Sequence, residues 1–172
     1  MAKLVYKIIK RCYIGVFLHL IMKDFKQIKL HLHKACTFYV NERLKTVTNT
    51  IESNQKDLLS ETKSSAGDKH ETGRAMLQLE MEKAGQQLAT INDMKSVLSK
   101  IVVENISEKV CLGSLIITNK ANYYLAISAG KLTVDAVDYF AVSTSSPIGK
   151  QLLGKKKGDI IAFNSAEIQI VI

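Results

Sequence analysis

The sequence predicts an α+β fold, in which a long antiparallel helical hairpin precedes a compact β-rich domain with one short helix. Residues 24–59 contain no Gly or Pro and carry apolar residues at helical spacing. A second helical stripe follows a short polar stretch. Beyond residue 101 the apolar residues form short β-branched and aromatic runs, separated by Asn, Gly and Ser.

The first arm of the hairpin, about residues 24–59, has one apolar stripe. Its members are Val40, Leu44, Val47, Ile51 and Leu58. They follow one another at steps of four, three, four and seven, which keeps them on one side of a helix. Only Asn54 and Gln55 lie on the stripe between Ile51 and Leu58, so we expect weaker packing there.

The second arm, about residues 69–101, keeps near-heptad spacing. Its stripe consists of Leu77, Met81, Ala84, Leu88, Ile91, Met94, Leu98 and Ile101. The polar residues 60–68 lie between the two arms and form the predicted turn. Two amphipathic helices with a short connection pack antiparallel, and roughly 30 residues per arm give a rod of about 45 Å.

The β-rich domain is predicted to contain six strands and one helix. The strands are Val110–Thr118, Tyr123–Ser128, Lys131–Val134, Tyr139–Ser143, Ile160–Phe163 and Ile168–Ile172. The helix, Ile148–Leu153, follows the only proline and ends before Gly154. About 70 residues of antiparallel sheet with one helix make a small module near the lower size limit for independent folding.

Length and composition exclude a large enzyme and a mainly disordered chain. A length of 172 residues suits one or two small domains, and 47% hydrophobic with 23% charged residues is a globular composition. The net charge of +8 suggests nucleic-acid binding, but residues 1–21 supply four basic residues and no acid, so half of the excess lies there. Three widely spaced cysteines form no disulfide framework and favour a reducing, cytoplasmic compartment.

Residues 1–21 form a doubtful N-terminal extension. Basic residues precede an apolar run, as in a signal peptide, but no small-x-small cleavage site follows. We expect either a mis-called start, with Met22 as the native first residue, or an apolar anchor. The predicted domains are therefore 1–21, a coiled-coil hairpin over 22–103 with its tip near 60–71, and 104–172.

Two segments of the last domain carry a resemblance to a known family. The run Ser146-Pro147-Ile148-Gly149-Lys150-Gln151-Leu152-Leu153-Gly154-Lys155-Lys156-Lys157-Gly158-Asp159 resembles the C-terminal signature of the GreA/GreB transcript-cleavage factors. Val110-x-x-Gly113-Ser114 resembles the opening of the same domain. At the predicted tip, Gly67-Asp68-Lys69-His70-Glu71 is similar to the family's Gly-Asp-x-x-Glu. The resemblance covers residues 22–172.

The resemblance implies a coiled coil followed by an FKBP-like domain, and a bacterial transcription elongation factor that binds RNA polymerase. Such a factor inserts its hairpin into the secondary channel and stimulates cleavage of backtracked RNA. It is not an enzyme by itself. By resemblance, Asp68 and Glu71 assist the polymerase catalytically and hold a shared Mg²⁺ only within the complex. Nascent RNA and DNA are contacted indirectly, and no small-molecule substrate or cofactor of its own is expected.

The residues also allow other interpretations of the tip. Asp68 with Glu71 three positions later is a capping box for the second helix. The family's Asn-Ala-Glu-Tyr is replaced by Thr72-Gly73-Arg74-Ala75, which removes an acid and an aromatic and adds a cation. A regulator that occupies the secondary channel without stimulating cleavage is therefore an alternative. A membrane-tethered coiled-coil adaptor is another, based on residues 1–21; without them no membrane contact is expected.

Other chemistry-bearing residues have simpler explanations. His31, His33 and Cys36 have no second ligand pair, so a buried Cys36 thiol is favoured over a zinc site. The run Lys155-Lys156-Lys157 is predicted to form a solvated turn rather than a phosphate-binding site.

Overall fold

The computed structural model describes the backbone of residues 2–61 and 68–172, and the side chains of residues 24–60 and 72–172. Its elements are α1 (Ala2–Glu61), α2 (Asp68–Ser99), β1 (Leu115–Thr118), β2 (Asn122–Ala126), β3 (Gly130–Val134), β4 (Val137–Ser143), α3 (Pro147–Leu152), β5 (Ile160–Ile161) and β6 (Ala166–Val171). The chain divides into two compact units. One is Cys36–Lys100, and the other joins Ile101–Ile172 to α1 up to Ala35.

The unit Cys36–Lys100 contains the predicted helical hairpin. Its buried residues on α1 are Cys36, Val40, Val47 and Asn54, and those on α2 are Ala84, Ile91 and Leu98. From Val40 and from Ala84, each series continues in steps of seven, so each helix turns one stripe inward. The α+β class and the hairpin predicted from these stripes are confirmed.

The six strands form one sheet in the order β3-β4-β2-β1-β6-β5. Four of its strand pairs are antiparallel, as predicted, but β2 and β4 are parallel. The prediction of a wholly antiparallel sheet was therefore wrong. The reason is that β3 pairs only with β4, in a hairpin whose two-residue loop has positive φ at Asp135 and Ala136. The chain thus leaves β2, forms the edge strand β3 and returns alongside β2 in the same direction.

The first strand also differs from its predicted start at Val110. Residues 110–114 form a tight turn, in which the Ser114 amide donates to the Cys111 carbonyl at 3.0 Å. Gly113 has φ +86°, and a Cβ there would lie 2.8 Å from Cγ2 of Ile101. Because a strand does not adopt this φ, β1 begins only at Leu115.

One face of the sheet packs against α3. The buried cluster there consists of Val110, Ile116, Tyr123, Leu125, Leu152, Ile161, Ala166 and Ile168. Alternation along β2 and β4 turns Tyr124, Tyr139 and Ala141 to the other face, where they are buried as well. Both faces of this small sheet therefore contribute to a core.

Residues of α1 up to Ala35 belong to the same unit as the sheet and bring polar groups to it. The buried Lys29 donates from Nζ to the Asn105 carbonyl at 2.8 Å, and burial lowers the pKa of its ammonium. His33 Nδ1 lies 3.4 Å from the Tyr124 hydroxyl, and burial lowers the pKa of this imidazole. Both groups link α1 to the β domain while partly removed from water.

The N-terminal extension enters α1 from Ala2 onward, but its side chains lie outside the described residues. The choice between a mis-called start and an apolar anchor therefore stays a prediction. Within the described part of the chain, no helix combines the length and apolar character needed to cross a bilayer.

We expect the burial of His33 to make folding stability depend on pH. Its folded pKa lies below the ordinary 6.5, so the unfolded chain binds more protons at mildly acidic pH. The contribution is fully present above pH 6.5 and is lost as the pH falls to the folded value. Urea unfolding from pH 8 to 5 should show a smaller loss of stability on acidification for His33→Gln than for wild type. The exposed His31, replaced by Gln, is the control, and an equal effect of both variants would contradict the prediction.

Candidate functional site at the hairpin tip and beside α3

The first candidate site is the start of α2. This helix begins at Asp68, so Asp68 and Glu71 occupy its first turn at positions i and i+3. Residues at this spacing lie on one side of a helix. The side chains of both acids lie outside the described residues, and so does the segment 62–67 between the helices. Their assignment to Mg²⁺ and to catalysis therefore stays a prediction, as does the capping-box alternative.

The structure does describe the side chains of the residues that follow the two acids. Thr72, Arg74 and Ala75 are exposed. Arg74 is three positions after Glu71 but six after Asp68, so the helix places it on the side of Glu71 and not on that of Asp68. The described part of the tip therefore carries an exposed cation one turn beyond Glu71.

The second candidate site surrounds the short helix α3, whose start explains the Ser-Pro of the signature. Ser146 is the N-cap: its Oγ accepts from the Gly149 amide at 3.1 Å and donates to the Ser143 carbonyl at 2.7 Å. Pro147 occupies the first turn, where its missing N–H is not needed. One hydroxyl thus joins the end of β4 to the start of α3.

The glycine of the signature is required by a close approach. A Cβ on Gly149 would overlap the backbone carbonyl of Ser143 and would lie 3.0 Å from Oγ of Ser146. Because the Ser143 oxygen is itself held by the Ser146 hydroxyl, it cannot move away without breaking the cap. The tight approach of α3 to β4 therefore depends on glycine.

The two segments that resemble the family meet in the structure. The Gly154 amide donates to the Val110 carbonyl at 2.8 Å, and the Val110 amide donates to the Lys155 carbonyl at 2.7 Å. Gly154 has φ +78°, which ends α3 and turns the chain toward Val110. The motif residues thus form one structural unit, although residues 115–145 separate the two segments in sequence.

The remainder of the signature forms the turn into β5. The Lys156 amide donates to Oδ2 of Asp159 at 2.9 Å, and Gly158, at φ +89°, donates to the Ile168 carbonyl at 2.8 Å. Lys156 and Lys157 are exposed. The Gly-Asp pair therefore has a backbone role, and the predicted solvated turn agrees with the exposure of the two lysines.

An apolar pocket of about 450 Å³ opens between α3 and the neighbouring strands. It is lined by Tyr123, Phe140, Val142, Pro147, Ile148 and Phe163. Phe163 is 71% exposed at its rim, and its amide donates to Oε1 of Gln151 at 2.9 Å. Sequence reasoning missed this pocket, although Phe140 and Val142 lie on the same face of β4 as the α3 core.

His31, His33 and Cys36 on α1, for which a buried Cys36 thiol was favoured over a zinc site, have different surroundings. His31 is exposed, His33 is half-buried, and Cys36 is fully buried, with burial raising the pKa of its thiol to about 12. Among the described residues, no group of three or more His, Cys, Asp or Glu side chains is placed to hold a metal ion. Cys36 packs in the core of the hairpin unit, as predicted.

No protein-family model matches the chain, and no curated protein sequence matches it. Among solved structures, the chain is similar to one described as the structure of the transcription factor Gfh1. That match has 21% identity and a TM-score of 0.31, and covers 76% of this chain and 88% of that chain. At these values the likeness carries no argument about function.

We expect Gly149→Ala to destabilise the β domain by about 2 kcal/mol or more, because the added Cβ overpacks against backbone and breaks the Ser146 cap. Thermal unfolding followed by circular dichroism would show a lower Tm. Gly85→Ala is the matched control: it lies in α2 with no atom within 4 Å of the added Cβ, so it should stabilise by about 0.5–1 kcal/mol. A Gly149→Ala protein as stable as wild type would contradict the packing argument.

Proposed function

We propose that this protein is a cytoplasmic transcription elongation factor that binds RNA polymerase, inserts its hairpin into the secondary channel and stimulates cleavage of backtracked RNA. The observation that carries the proposal is the joining of the two signature segments through Val110, Gly154 and Lys155. It is supported by a helical hairpin whose second helix begins with two acids. RNA polymerase is proposed as the partner because of the sequence resemblance to the GreA/GreB factors.

The two acids fit the chemistry of such a factor. Carboxylate oxygens are the hard ligands that Mg²⁺ prefers, and Asp68 and Glu71 occupy one side of the first turn of α2. Mg²⁺ held jointly with polymerase would activate water and neutralise charge on the phosphodiester. The protein's own residues would position that site, while the cleavage itself remains an activity of the polymerase. The factor is thus no enzyme by itself and takes no small-molecule substrate.

The test is a cleavage assay on backtracked complexes of the cognate polymerase. Wild type should shorten the RNA, and Asp68→Asn should slow shortening roughly 100-fold, the loss typical of one charge-stabilising group. Asn caps a helix as well as Asp does, so this variant removes the charge and would retain the cap of the capping-box alternative. Glu71→Gln should act in the same direction. The exposed Glu80, replaced by Gln, is the matched acid on α2 and should have no effect.

A wild-type protein that leaves backtracked RNA intact would show that the cleavage role is wrong. The alternative is then a regulator that occupies the channel without cleavage, which the exposed Arg74 near the acids favours. In that case competition with other channel-binding factors would persist for both wild type and Asp68→Asn.

The pocket beside α3 is the surface that we propose to contact polymerase. An open apolar pocket with an exposed aromatic at its rim suits insertion of an apolar side chain from a protein partner. Phe163→Ala should weaken polymerase binding by about 1–2 kcal/mol, roughly five- to thirtyfold in Kd. Ile160 is 63% exposed and does not line the pocket, so Ile160→Ala is the control. Equal affinity of the two variants would exclude the pocket as the contact.

A further inference from the structure

Asn54 occupies a core position of the hairpin. It follows Val40 and Val47 at steps of seven residues, and it is only 6% exposed. Valines at these positions are 1% and 5% exposed, so Asn54 continues their stripe into the core. The sequence predicted weaker packing here; the structure buries a polar amide at this point of the stripe.

The amide of Asn54 is not satisfied there. Its Nδ2 atom is buried and has no hydrogen-bond partner, and among the described side chains it is the one such atom. A buried N–H donor that has lost its water and gained no acceptor opposes closure of the helices around it. Opening of the hairpin at this point would return the amide to water.

The apolar residues around Asn54 offset the cost of its unpaired amide only in part. Ile51 and Leu58, before and after Asn54 on the stripe, are half-buried, as are Leu77 and Met81 on α2. Half-buried residues also occur on the side toward Cys36, but there the positions at steps of seven on α2 are fully buried: Ala84, Ile91 and Leu98 are 4%, 0% and 6% exposed. The same step before Ala84 reaches only the half-buried Leu77. Burial of apolar surface, and with it hydrophobic stabilisation, therefore decreases toward the turn.

We propose that Asn54 divides the hairpin into two parts of different stability, so that residues 51–60 and 72–81 open together while the remainder stays closed. Local opening of this kind is set by buried apolar contacts and by buried polar groups without partners. The inference concerns the hairpin itself and goes beyond the proposed function. It gives the tip-bearing end of the molecule freedom to change shape without global unfolding.

The test is native-state hydrogen exchange of the full-length protein, without polymerase, followed by mass spectrometry. Asn54→Leu removes the unpaired amide and adds apolar volume to the core. It should slow exchange in residues 51–60 and 72–81 about tenfold or more, and should leave residues 36–47 and 88–98 unchanged. Asn54→Met should act in the same direction and adapts more readily to the available space.

Asn49→Leu is the matched control. Asn49 is exposed on the same helix, and the substitution is again from Asn to Leu. It should change exchange by less than about twofold, through helix propensity alone. Equal slowing by Asn49→Leu and Asn54→Leu would overturn the proposal. So would equal slowing of both ends by Asn54→Leu, since the hairpin would then open as one unit. Neither result depends on whether the protein binds polymerase.

Discussion

The β domain depends on the pair of backbone hydrogen bonds between Val110 and the turn after α3. They fix the end of α3 against the segment that leads into β1, and Val110 itself is buried in the cluster beneath the helix. At the other end of α3, the Ser146 hydroxyl and the close approach of Gly149 fix the helix to β4. A helix of only six residues is not stable alone. The position of α3, and with it the pocket beside this helix, therefore depends on the contacts at both of its ends.

The hairpin follows a different principle, since its stability comes from a repeating stripe rather than from particular hydrogen bonds. Each seven-residue step adds one buried residue on a helix, so stability can vary along the rod without changing its fold. Val40 and Ile91 bury apolar surface completely, whereas Asn54 buries an amide without a partner. The helix α3 is thus held at both ends, whereas the hairpin buries a polar amide in place of an apolar side chain toward its turn.

Much of the fold could be predicted because its signals are local. The stripe from Val40 to Leu58 and the Pro147–Gly154 boundaries of α3 need only neighbouring residues to be recognised. The parallel pairing of β2 with β4 could not be predicted from the sequence. It arises because β3 pairs with β4 and not with β2, which is a contact between strands and not a local signal. The pocket was missed for a similar reason: Tyr123 and Phe163 are 40 residues apart in sequence, and only the folded domain places both at its lining. Asp68 and Glu71 were found through a motif, and their roles remain predictions.

Three of the tip residues that differ from the GreA/GreB pattern are not fixed by packing. Thr72, Arg74 and Ala75 are exposed, so the fold would accept the family's residues at these positions at little cost in stability. Gly149 and Ser146, by contrast, match the signature at positions where the backbone permits little else. Matching residues in the β domain therefore reflect structural necessity together with any binding role. Packing does not determine the exposed residues that differ at the tip, above all Arg74, so the proposed cleavage and binding roles have to be assayed separately.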